Sequence, residues 1–157
     1  MEFELFHLLI FTIPFATAYF LKAWSGKKSY LDYLITHFVF FNVALQGIMA
    51  GLTQIYNPHL VAEYLNWPFS PFIYELGFAN LAIGIGALFA LLLKNLTAVW
   101  TAAAIYGLFL FFAFINHILQ LYFEGNFSAG NAGAVVFTDL LTPVTLALLF
   151  YLSRRNK

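Results

Sequence analysis

Five stretches of this chain, each about 20 residues long and nearly free of charge, leave it few ways to fold. They run approximately over 6–24, 31–53, 71–93, 97–123 and 134–153. In lipid no water satisfies a backbone amide or carbonyl, so a segment that crosses must bond internally as a helix. The chain therefore reads as an all-α integral membrane protein, with five transmembrane helices in one bundle and a single domain over 1–157. Composition supports the lipid solvent: 62% of residues are hydrophobic and 9% charged, where soluble domains carry about a quarter charged.

The loops carry an orientation signal. Lys22, Lys27 and Lys28 follow the first helix, Lys94 the third, and Arg154, Arg155 and Lys157 the fifth, so all seven basic residues fall on one side. The positive-inside rule makes that side cytoplasmic and places the N-terminus outside, in the inner (plasma) membrane of a cell. Glu2, Glu4, Glu63 and Glu124 then lie outside. Glu2 and Glu4 also make the N-terminus acidic where a secretory signal peptide would be basic, so the first helix is expected to be retained. Seven basic residues balance seven acidic ones, which offers nothing to nucleic acid. The absence of cysteine excludes disulfides and thiolate metal sites.

Between the second and third helices, Asn57 and Pro58 supply a cap and a first helical residue, and Pro68 stops the run, which predicts a short interfacial helix in the 54–70 loop. Trp24 and Trp100 are expected at the inner interface and Trp67 at the outer. Gly47 and Gly51 form a GxxxG pair on the second helix, and Gly77, Gly84 and Gly86 thin the third, which is the pattern of close helix packing.

Polar residues within the spans gather near the outer side. At about 1.5 Å per residue, Glu75 lies roughly 6 Å below Pro71, His117 roughly 10 Å below Glu124, and Asp139 roughly 9 Å below Gly133. Pro143 has no amide hydrogen, so the carbonyl of Asp139 loses its helical donor in the turn that holds the carboxylate. Gln46 and Asn80 lie slightly deeper, Asn116 and Gln120 flank His117 on the fourth helix, and Asn131 sits in the Gly/Asn hairpin over 124–133. Ionisable side chains in spans usually face the bundle interior and pair, so Glu75, His117 and Asp139 are expected to converge. Five residues separate Glu75 from Asn80, so they cannot both point at one axis.

Three chemistries fit such a set. The residues bind or pass a small solute or ion; or His117, Glu75 and Asp139 hold a metal or border a quinone in an oxidoreductase subunit; or they serve as interhelical glue in an accessory subunit. A facial triad wants two histidines and one carboxylate, so the metal option fits the ligand types loosely. No cofactor is predicted. Asp32 caps the second helix, and His37 and Asn42 suit interhelical hydrogen bonds. No GxSxG elbow or phosphate loop is present, and nothing in the residue pattern specifies an enzyme.

Asn66, Trp67, Pro68, Ser70, Pro71, Phe72, Glu75, the run from Phe78 to Leu81, Gly84, His117, Asn126, Phe127, the run from Gly130 to Gly133, Asp139 and Pro143 together resemble an uncharacterised family of small prokaryotic multi-pass membrane proteins of unknown function. The resemblance covers roughly 45–150 and implies that the outer hairpin and the Glu75, His117 and Asp139 set belong together. A fainter similarity runs to DoxX-like membrane proteins through the stretch from Gly51 to Gly86. Neither implies a reaction. The expectation is a lipid-embedded protein with an outward-facing polar pocket, most simply for a small solute or ion, and a homo-oligomer, since five helices leave little room for a private path.

Overall fold

The computed structural model describes residues 2–155, with side chains from Glu4 onward. Lys157 and the side chain of Glu2, both used above for orientation, lie outside the described residues. The helices are α1 (Glu2–Ser25), α2 (Tyr30–Val39), a π segment (Phe40–Leu45), α3 (Gln46–Tyr56), α4 (Pro58–Leu65), α5 (Phe72–Leu92), α6 (Leu96–Glu124), α7 (Ala129–Ala132) and α8 (Ala134–Arg155). Among the described residues there is no strand. Five helical runs are long and apolar enough to cross a membrane, the second being the continuous run Tyr30–Tyr56.

Packing proceeds around the bundle: α1 on α2, α3 on α5, α5 on α6, α6 on α8, and α8 back against α1. Phe38, Val39, Val43 and Tyr106 are fully buried at its centre. The outer faces carry exposed apolar side chains such as Phe78, Ile105, Phe112 and Val144.

Two prolines set the local geometry of the long helices. Pro14 lies inside α1, so the carbonyl of Ile10, four residues earlier, has no helical donor. The amide of Asn42 supplies one, donating from Nδ2 to Ile10 O at 3.2 Å. Asn42 sits within the π segment, where the extra residue per turn rotates side chains relative to an α-helix. His37 Nδ1 pairs with Thr17 Oγ1 at 2.8 Å, and the hydroxyls of Ser25 and Tyr33 also bond. With Tyr30 Oη donating to Phe15 O at 3.4 Å, four polar links tie α1 to the second span. Asp32 completes a capping box: Ser29 Oγ accepts from Asp32 N, and Asp32 Oδ2 accepts from Ser29 N.

The α3/α5 contact is nearly backbone on backbone. A Cβ on Gly51 would lie 2.7 Å from both Gly77 O and Leu81 N, and one on Gly84 would lie 2.6 Å from Ile48 N. Only glycine allows that approach. Gly86 faces open space, so it takes no part in this seam.

The interfacial helix forms as α4 with Pro58 at its first turn, but Asn57 makes no side-chain cap bond. Nor does Pro68 stop it. The helix closes at Asn66, which is in the left-handed conformation with φ 53° and donates its amide hydrogen to Glu63 O at 3.0 Å, and asparagine is the commonest non-glycine residue for that role.

Candidate functional site

His117 and Asp139 meet between α6 and α8. His117 Nε2 lies 3.6 Å from Asp139 Oδ2, and both side chains are buried, Asp139 being 4% exposed. The other imidazole nitrogen is held by the hairpin. Asn131, fully buried on α7, donates from Nδ2 to Asn126 O at 2.9 Å and to His117 O at 3.2 Å. Carbonyls only accept, so these two bonds fix which end of the amide is nitrogen. The remaining Oδ1 faces His117 Nδ1 at 2.8 Å and must accept, so Nδ1 carries the hydrogen. In neutral imidazole that leaves Nε2 as a bare lone pair. A lone pair and a carboxyl oxygen therefore face each other in an apolar interior, an arrangement that is favourable only when a proton lies between them. At 3.6 Å the two atoms sit just beyond direct hydrogen-bond distance.

The hairpin itself is fastened from the opposite side. Asn126 Nδ2 and Ser128 Oγ both donate to Leu65 O, at 2.8 and 3.1 Å, and Gly125, with φ 60°, closes α6 in the left-handed conformation. At Gly130 a Cβ would sit 2.6 Å from Tyr64 Cδ1, so this glycine is what lets α7 lie against α4. Outside the spans, the Tyr64 hydroxyl is pushed above its ordinary value, first by burial and then by the charge of Glu4. Trp67, just past α4, stacks its indole over the His117 ring at 6.3 Å between centroids and 26° between planes. Its Nε1 is buried without a hydrogen-bond partner among the described residues, as is Thr142 Oγ1, one turn beyond Asp139 on α8. Tyr106, fully buried on α6, lies within electrostatic reach of Asp139.

The structure brings together His117, Asp139 and Asn131, and leaves the other expected residues elsewhere. Glu75 is exposed in the first turn of α5 and does not converge with the pair. The reason is azimuth: α5 turns Ile73, Gly77 and Asn80 inward, and Glu75 lies 140° to 200° from those positions at 100° per residue. A carboxylate there complements the helix N-terminus instead. Among the described residues no three His, Asp or Glu side chains are close enough to hold a metal ion, so the triad of His117, Glu75 and Asp139 is not formed. Asn116 is exposed and Gln120 half-buried on α6. Gln46 and Asn80 are both buried, and Asn80 Nδ2 donates to Gln54 Oε1 at 2.9 Å, which ties α5 to α3. Trp67 joins the site without having been expected there. Trp67 reads from sequence as an interface anchor, and only the return of the loop onto α6 gives it a second role.

Two surface grooves lie away from this pair. Two apolar grooves of about 450 Å³ each lie between α6 and α8 and between α5 and α6, and His117, Asp139 and Asn131 line neither.

The fold and site together define a small helical protein with five spans of membrane-crossing length and a buried histidine/carboxyl pair roofed by a loop. The chain belongs to the Family of unknown function (DUF6790), whose model matches residues 4–157. No curated protein and no solved structure matches it.

Proposed function

We propose that this protein binds a small ion or solute at the His117/Asp139 pair within the inner membrane of the cell, the proton being the ion that suits a histidine and a carboxyl group best. The observation that carries this reading is the Asn131 amide, which fixes Nδ1 as the donor and so turns the Nε2 lone pair of a neutral imidazole toward the carboxyl, 3.6 Å away. Ionisable groups inside spans mark proton relays and ion paths by default. Clustering of the basic residues at the opposite ends of the spans makes the pair face the outer side under the positive-inside rule. A second copy of the chain would complete a path across the remaining leaflet.

One observation favours an architectural role instead: every donor of the Asn131 amide is used, so the network is closed as a clasp between α6 and the hairpin. Proteoliposomes separate the two. Wild type should dissipate an imposed pH gradient faster than Asp139→Asn or His117→Gln, with both variants folded. Equal rates in all three would leave the clasp as the function of the pair.

A further inference from the structure

We infer that the groove between α6 and α8 is a binding site for one acyl chain of an anionic glycerophospholipid whose phosphate is held by Arg154. The groove is lined by side chains including Trp100, Gly107, Phe111, Pro143, Ala147 and Phe150. Nearly all of its wall is apolar, and its depth comes from residues with little or no side chain, Gly107 and Ala147 above all. Along α6 it runs from Trp100 to Phe111, eleven residues or about 16 Å. That length matches one leaflet, since the hydrocarbon core of a bilayer is about 30 Å thick. A transmembrane helix from a second copy would need a seam of twice that length, whereas a single acyl chain needs no more.

The two ends of the groove differ chemically. Its inner limit is the turn around Pro143, next to the buried polar pair. At the other end, Trp100 and Phe150 meet edge to face at 5.2 Å, and Arg154 follows Phe150 by four residues, which is 40° around the same face of α8 and about 6 Å further along. Arg154 is exposed. An interfacial tryptophan beside an arginine, one turn beyond an apolar slot, is the order of chemistry along a phospholipid: chain, ester region, phosphate. Guanidinium suits phosphate because its fork of donors matches two oxygens at once.

Native mass spectrometry in a mild detergent tests this, with chain-matched phosphatidylglycerol and phosphatidylcholine supplied in equal amounts. Wild type should retain one lipid and favour phosphatidylglycerol by about fivefold, the effect of one basic residue near the surface. Ala147→Phe should fill the slot and lose the retained lipid. Arg154→Gln should keep a lipid but lose the preference. Wild type free of lipid, or equal retention in Ala147→Phe, would overturn the assignment, as would a wild-type dimer that Ala147→Phe converts to monomer. Should Ala147→Phe fail to fold, Arg154→Gln, a surface change, decides alone: an unchanged preference refutes the site.

Discussion

Asp139→Asn separates the two ways in which the buried pair can hold its proton. If the carboxyl is neutral and donates to the His117 Nε2 lone pair, an asparagine amide can replace it, because its NH₂ donates from the same position. The substitution is then close to isosteric, and its cost should fall within about 0.6 kcal/mol, the average worth of one interhelical hydrogen bond in a membrane protein. Asp139→Ala removes the donor altogether and leaves Nε2 buried and unmatched, at a cost of about 1–3 kcal/mol. If instead the pair is imidazolium and carboxylate, Asp139→Asn strands a buried cation, and the cost rises to about 3–5 kcal/mol. Unfolding of the three proteins in mixed micelles with increasing denaturing detergent gives the comparison directly. Wild type and Asp139→Asn should unfold together, with Asp139→Ala earlier. Asp139→Asn unfolding as early as Asp139→Ala, or earlier, would refute the neutral pair and leave imidazolium and carboxylate as the state of the pair.

Two further outcomes follow from other parts of the molecule. Gly51→Ala would place a methyl 2.7 Å from Gly77 O and Leu81 N, so the α3/α5 seam must open; a loss of about 1–3 kcal/mol is expected from the same unfolding assay, and no loss would mean that the two helices part readily. The Tyr64 phenol, raised by burial and by Glu4, binds its proton more tightly folded than unfolded, so its contribution to stability is complete below the ordinary tyrosine value and is lost as pH rises through the folded one. Ultraviolet titration of wild type against Tyr64→Phe should show one phenol that ionises later than a free tyrosine, and Glu4→Gln should move it earlier.

Span positions were legible because lipid imposes a length and a polarity that composition reports directly. The expected 31–53, for instance, corresponds to Tyr30–Tyr56. Level along the bundle was legible as well: counting from Glu124 and Gly133 places His117 and Asp139 roughly 10 and 9 Å along their helices, and the two do meet. Azimuth was not. Glu75 shares their leaflet, but the glycine seam settles the rotation of α5, and Gly51 and Gly84 had to be seen against backbone before the outward face of that helix could be known. Nor could the sequence show that Asn42 serves the carbonyl freed by Pro14, since the π segment that turns it inward breaks the 3.6-residue period on which such counting relies. Asn131 lay in a stretch that looked like a turn. Its decisive bonds are to Asn126, five residues earlier, and to His117, fourteen earlier, and a short helix creates them.

The order in which the chain is made gives that clasp a further meaning. Trp67, His117, Asn131 and Asp139 emerge from the ribosome in sequence, so α6 is complete while it carries an imidazole whose later partners have not yet been synthesised. Until the hairpin folds back and the last span arrives, His117 has neither an acceptor for Nδ1 nor a proton donor for Nε2, and α6 lacks its most extensive neighbour. The end of the bundle that holds His117 is therefore complete only once α8 is in place. A chain stopped in the loop after Glu124 would present an unmatched polar group in lipid, the kind of defect by which a membrane quality-control protease can distinguish an unfinished bundle from a complete one.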